Sequence, residues 1–415
     1  MKTPSSALSC FKAALRASRC GASDDAIALF TTTVEREPGC AAAWYCRGRE
    51  YDTLGRFQEA VADYSRCLEL KPSANAWYNR GLAWRNLSDF AAALADYDRA
   101  IALNPRHARA WNNRGNALYL TGSFASAVES YTASLAIDGT FAPAWYNRGC
   151  AHDELGNYGR ALEDYTRSIE IEKRPEFYYN RGLVFRKLGG HVMAIDDFST
   201  AIALKPAYAA AHNNRANAWA DLCNHERALQ DYCCALELDP DYADALYNRG
   251  LEYNAAGDHA RAVEDFTRVL QRNPADAEAR GARALAQFYL GNMQESADDF
   301  SRAIEYAPDS APLYYNRALV YAEQGFFREA IDDYTRSQGL EPCNADAWNN
   351  RGAAYAALGD YNQAICDFNR ALECAPEHGG VLDNRAAALE QRRCRFVQRK
   401  MRLRTGGARH EIEDR

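Results

Sequence analysis

The hexapeptide AWYNRG at residues 76–81 recurs down the chain at a nearly constant step. It returns as AWNNRG at 110–115, AWYNRG at 144–149, FYYNRG at 177–182 and AHNNRA at 211–216. It continues as ALYNRG at 245–250, LYYNRA at 313–318 and AWNNRG at 347–352. The step is 34 residues, shortened to 33 before Ala74 and before Pro175. A unit of that length cannot bury its own apolar face, so neighbouring units must stack into one continuous core.

The pattern inside a unit predicts two antiparallel helices, A and B. In 74–107, Trp77, Gly81 and Trp84 lie three to four residues apart, one face of a helix. Ser88 and Asp89 interrupt it, and Asp89 can cap helix B, as can Asn157, Asn224, Asp258, Asn292 and Asp360 at the same place in other units. Pro105, Pro206, Pro240, Pro274, Pro308, Pro342 and Pro376 then end helix B.

Counted from the first residue of each unit, the pattern resembles that of tetratricopeptide (TPR) repeats. In 345–378, Trp348, Gly352, Tyr355, Ala364, Phe368, Ala371 and Pro376 occupy the family's positions 4, 8, 11, 20, 24, 27 and 32. The resemblance implies an all-α fold, a right-handed superhelical solenoid of antiparallel helix pairs. Eleven repeats are expected, at 7–40, 41–73, 74–107, 108–141, 142–174, 175–208, 209–242, 243–276, 277–310, 311–344 and 345–378. A lead, 1–6, precedes them; a capping helix, 379–391, and a basic tail, 392–415, follow.

Position 7 is Arg and position 23 Asp, which face each other in a hairpin turning near position 15. The expected pairs are Arg47–Asp63, Arg80–Asp96, Arg148–Asp164, Arg181–Asp197, Arg215–Asp231, Arg249–Asp265, Arg283–Asp299, Arg317–Asp333 and Arg351–Asp367. The first repeat replaces both partners, with Ala13 and Leu29, and joint loss of this kind points to an internal ion pair. Arg114 is the exception, because Ser130 stands where its Asp should be. It is therefore solvated, borrowed by a neighbouring repeat or free for a ligand.

With that pair assigned to architecture, function is left to the rest of helix A, which in TPR proteins lines the concave groove. Position 6 is Asn79, Asn113, Asn147, Asn180, Asn214, Asn248, Asn316, Asn350 and Asn384. A carboxamide carries donor and acceptor together, so one per repeat can pair with the backbone of an extended chain of any sequence. The series resembles the asparagine ladder of the O-GlcNAc transferase TPR superhelix and the asparagine arrays of armadillo importins. The alternative is that each Asn bonds its own repeat's backbone. Tyr78, Tyr146, Tyr179 and Tyr247 at position 5 suit a peptide surface, or are packed between repeats. Further along helix A, Arg85, Asp153, Glu154, Arg186 and Lys187 make the groove mixed in sign, which argues against a long polyanion. The two-carboxylate clamp of TPR co-chaperones needs Lys at position 5, and no repeat has it.

Composition removes most other classes. No nucleotide-binding or hydrolase motif is present, and no nucleophile, base and orienting group stand outside the repeat pattern, so no enzyme and no cofactor are expected. The thirteen cysteines and eight histidines are scattered without metal-ligand spacing, which suits a reduced, cytoplasmic setting and no metal. The first 23 residues carry Lys2, Lys12, Arg16 and Arg19 with no acid, as transit peptides do, yet Ala7–Cys20 fits the repeat register. No apolar run is long enough to span a bilayer.

The segment 392–404 contains Arg392, Arg393, Arg395, Arg399, Lys400, Arg402 and Arg404 and no acid. It is a solvated helix, a complement to the chain's own acidic array, or an electrostatic anchor for an acidic surface such as tubulin tails, RNA or anionic lipid. A non-enzymatic scaffold or adaptor holding an extended protein segment is the main expectation. The alternative is a structural component of a cytoskeletal, ciliary or flagellar assembly, and nucleic acid is not the expected partner.

Overall fold

The computed structural model describes residues 6–410, with side chains through 398. Among these residues there are twenty-three α-helices and no strand, and the chain divides into two compact units, one ending at Ala218 and one starting at Trp219. The residues of the expected lead before Ser6 lie outside the described residues.

Each repeat is a thirteen-residue helix A and a fourteen-residue helix B, as in Ala74–Asn86 followed by Phe90–Leu103. Helix B packs on its own helix A and on helix A of the next repeat, as Phe90–Leu103 does on Ala74–Asn86 and Ala108–Leu120. Asp89, Asn224, Asp258 and Asp360 cap helix B through their side chains, whereas Asn157 and Asn292 hold the cap position without a side-chain bond. Pro105 stands two residues past Leu103, after Asn104 at φ −140°, and Asp138 takes nearly the same φ, −137°, before Gly139. At position 15 the turn needs a positive φ. Glycine supplies it at Gly122 (76°), but Ser88 (62°) and Cys223 (57°) adopt it as well.

The core of a hairpin is a ring laid on a glycine. A Cβ at Gly81 would come within 2.8 Å of the Tyr97 ring, and one at Gly352 within 2.8 Å of Phe368. Ala60, Ala93, Ala127 and Ala161 at position 20 are fully buried beside it.

The arginines act in two directions. Arg80 Nε and Nη2 donate to both oxygens of Asp96 at 2.8 Å, and its Nη1 reaches back to Ser65 Oγ, on helix B of the preceding repeat, at 2.9 Å. Arg47, Arg148, Arg181, Arg283, Arg317 and Arg351 repeat the arrangement, each with its own Asp and with a Ser or Thr one repeat back. Arg249 does so with Asp265 and Cys233 Sγ. The ninth expected pair, Arg215–Asp231, straddles the division between the units.

Arg114 resolves to the borrowed state. Its Nη1 donates to Ser130 Oγ at 2.7 Å and its Nε to Asp98 Oδ1 at 2.7 Å. Asp98 occupies position 25 of the preceding repeat, where the other repeats carry an uncharged side chain. Carboxylate and hydroxyl have exchanged places around one guanidinium, so its charge is still met.

The last helix runs unbroken from Gly379 to His410. Val381 and Ala388 bury it against helix B of the last repeat, within the cluster around Phe368, and no turn falls at 391.

Candidate functional site

The position-6 amides neither stand free nor turn, as a series, to their own backbone. Seven of the nine reach back to the position-5 side chain of the preceding repeat. Nδ2 donates to a tyrosine hydroxyl from Asn79 to Tyr45 (2.8 Å), Asn113 to Tyr78 (2.8 Å), Asn180 to Tyr146 (2.6 Å), Asn214 to Tyr179 (3.0 Å) and Asn350 to Tyr315 (3.1 Å). Where position 5 is itself Asn, the acceptor is its carbonyl, as from Asn147 to Asn112 (3.1 Å) and Asn384 to Asn349 (3.0 Å). Asn214 alone in this series also donates to its own repeat, at Ala210 O. Asn316 has nothing to reach, because Gly281 stands at position 5 before it.

These bonds use the donor half of the amide. The acceptor half is taken at Asn113, by Asn112 and Asn116, and at Asn350, by Asn349. Oδ1 of Asn79, Asn147 and Asn180 accepts nothing among the described residues, and all three side chains are half-buried. That leaves unengaged hydrogen-bond acceptors at half-buried positions of helix A.

The tyrosines pack on the position-24 ring of their own repeat, and the hydroxyls of Tyr78, Tyr146 and Tyr179 receive the amide of the next repeat. Tyr78 tilts against Tyr97 with ring centroids 6.1 Å apart, and Tyr146, Tyr179 and Tyr247 meet Tyr165, Phe198 and Phe266 at 5.8 Å. Burial pushes the Tyr78, Tyr146 and Tyr247 phenols above their usual range, so they stay protonated.

Beneath them, the position-24 ring follows the polarity of helix A. Tyr131 donates to Asn116 Oδ1 at 2.9 Å and Tyr64 to Asp52 Oδ2 at 2.6 Å. Where position 9 is Leu183, Leu251, Leu285 or Ala353, the ring is Phe198, Phe266, Phe300 or Phe368 and asks for nothing. Two repeats break this matching. With Leu82 and Leu319 at position 9, Tyr97 and Tyr334 bury hydroxyls that have no partner.

In the first unit the helix A face deepens into a cavity of about 440 Å³, lined by residues of the third to sixth repeats. Asn147, Asn180, Tyr146, Tyr119, Leu120, Cys150 and Arg85 border it. Burial raises the Cys150 thiol above its ordinary value, so it remains an uncharged wall. Helix A positions 12 and 13 are partly paired across repeats, Lys187 with Asp153 at 2.7 Å and Tyr119 with Glu154 at 3.2 Å. No group of side chains that could hold a metal occurs among the described residues.

Of the basic segment, Arg392 and Arg393 are exposed, and so are Phe396 and Val397. Arg395 is engaged with the repeat array, donating to Gly359 O at 2.9 Å with its guanidinium 4.9 Å from the Tyr361 ring centre. The side chains of Arg399, Lys400, Arg402 and Arg404 lie outside the described residues. No helix is long and apolar enough to cross a membrane among the described residues.

Sequence models of the tetratricopeptide repeat match residues 41–73, 78–140, 142–174, 243–276 and 345–378. These segments are tetratricopeptide repeats. The chain's fold is all-α, built from the paired helices described above, and the matched segments coincide with those helix pairs. Among solved structures it is similar to a TPR protein from Parabacteroides merdae, with 23% identity over 60% of this chain and 98% of that one, at a TM-score of 0.45. It is also similar to YrrB, described as a TPR protein with an unusual peptide-binding site, with 25% identity over 45% of this chain and 96% of that one and a TM-score of 0.40. The Cut9–Hcn1 hetero-tetramer of the APC/C aligns with 92% of this chain and 84% of that one at 16% identity and a TM-score of 0.46. A comparison with curated proteins returns no match. TPR proteins are in general protein-interaction scaffolds or adaptors.

Proposed function

We propose that this TPR protein is a non-enzymatic scaffold that holds an extended polypeptide segment against its helix A face. One observation carries the reading. Asn79, Asn147 and Asn180 spend their donor on the preceding repeat and keep an unpaired acceptor on a half-exposed face. Such a row of fixed carbonyl oxygens suits the backbone N–H groups of a strand-like segment. The inter-repeat bond would hold each oxygen in place before the segment arrives, which lowers the ordering cost of binding.

The same bond complicates the obvious test, since Asn→Ala also removes an inter-repeat contact of about 1 kcal/mol. Two variants separate the roles. One replaces Asn79, Asn113, Asn147, Asn180 and Asn214 with Ala. The other replaces Tyr45, Tyr78, Tyr146 and Tyr179 with Phe, deleting the hydroxyl acceptors and leaving the amides. Both should lower the denaturation midpoint to a similar extent. The Asn variant should lose proteins that the wild type captures from cells, whereas the Tyr variant should only weaken their capture. Equal loss of partners by both variants would make the amides structural.

A second reading has one observation in its favour: exposed Arg392, Arg393, Phe396 and Val397 share a helix that continues past the last repeat. Under it, this helix fastens the protein to an acidic polymer such as a microtubule. Deleting 392–415 should then abolish co-sedimentation with the polymer, and binding to it should fall steeply between low and high salt. Salt-independent binding, or binding that survives the deletion, would discard this reading.

A further inference from the structure

The groove of the first unit has a direction of charge. Arg85, at position 12 of the third repeat, borders the cavity, and among the described residues its guanidinium makes one hydrogen bond, to Asn86 Oδ1 at 3.2 Å, and no ion pair. At positions 12 and 13 of the fifth and sixth repeats the charges are paired or hydrogen-bonded. Lys187 is closed onto Asp153, and Glu154 receives the Tyr119 hydroxyl. A cation left half-buried without a counter-charge in a concave site is a place where an incoming anion gains more than it would in open water.

The remaining walls say what carries the anion. Leu120 is 58% exposed at the cavity's border, an apolar surface that a small inorganic ion would leave wet. Asn147 and Asn180 offer their unpaired Oδ1 atoms, which repel an anion and accept N–H groups. Cys150 contributes an uncharged thiol between them. A guanidinium, an apolar shelf and two fixed acceptors together match a stretch of peptide: its carboxylate on Arg85, an aliphatic or aromatic neighbour on Leu120, and backbone N–H groups on the two amides. We infer that the first unit selects extended segments carrying an Asp or Glu beside a large apolar residue, with Arg85 reading the acid. This rests on the scaffold reading above and adds the chemistry of the segment to it.

The test uses the full-length chain and a displayed library of random twelve-residue peptides. Selections are run in parallel on the wild type, on Arg85→Gln and on the double variant Asn147→Ala, Asn180→Ala. Wild type should enrich peptides with an acid at one fixed place next to a large apolar residue, and Arg85→Gln should select without that acid. For one enriched peptide, fluorescence anisotropy should show an affinity loss of about ten- to a hundredfold on Arg85→Gln. Changing the peptide's Glu to Gln should cost a similar factor against wild type and almost nothing against Arg85→Gln. Peptides that require Asn147 and Asn180 but show no acid preference, or acidic peptides indifferent to Arg85→Gln, would overturn the assignment of Arg85 and leave the scaffold reading standing. A library yielding no peptide that distinguishes either variant from wild type would overturn both.

Discussion

At the scale of single residues, this protein matches polar groups in pairs, and the mismatches are informative. A tyrosine at position 24 occurs with a polar acceptor on helix A, as with Asn116 for Tyr131, and phenylalanine where there is none. Tyr97 and Tyr334 keep a hydroxyl that finds no acceptor. Tyr97→Phe and Tyr334→Phe should therefore leave the urea midpoint unchanged or raise it, since a buried unpaired hydroxyl costs more than it contributes. Tyr131→Phe should lower stability by about 1 kcal/mol, because it strands the Asn116 carbonyl. Equal effects in all three would mean that ring packing alone sets this position. The tyrosine–phenylalanine choice is written in the sequence, but its logic is not, because the acceptor lies fifteen residues away on the partner helix.

At the scale of elements, the arginine at position 7 joins two helix pairs at once. Its partner within the repeat was legible from a spacing of sixteen residues and from the paired loss at Ala13 and Leu29. Its second partner, also about sixteen residues away but toward the N-terminus, was not legible. A hydroxyl at position 25 gives no signal until helix B of one repeat is known to abut helix A of the next. The asparagines hid their partners for the same reason, since Asn79 and Tyr45 are 34 residues apart. Arg114 makes the double attachment testable. Asp98→Thr removes its only carboxylate and should destabilise the chain by about 1 kcal/mol, a modest figure because the Asp98 side chain is 58% exposed. Adding Ser130→Asp restores the arrangement of the other repeats and should recover the loss or exceed it. Additive effects in this double-mutant cycle would show that Asp98 and position 23 do not share the guanidinium.

At the scale of the whole molecule, repeats that contact only their neighbours make stability a sum of local terms, so a repeat can be removed if the new junction is chemically complete. The period and the helix pairs were legible in the sequence, because periodicity is a long-range signal that single contacts cannot blur. The division after Ala218 was not, since the motif passes through it unchanged. Junction chemistry ranks two deletions that periodicity alone would call equal. Removing 142–174 sets the fourth repeat before the sixth, and Arg181 would meet Thr132 as well as its own Asp197, the ordinary arrangement. Removing 108–141 sets the third repeat before the fifth, and Arg148 would meet Asp98 in addition to Asp164, two carboxylates for one guanidinium. The second deletion should be the less stable of the two. The sharper expectation is a reversal of sign: Asp98→Thr destabilises the full chain, where Asp98 neutralises Arg114, and stabilises the 108–141 deletion, where Asp98 only adds charge. Urea midpoints of the four proteins decide it. A substitution with the same sign in both backgrounds would show that position 25 does not face the arginine of whichever repeat follows.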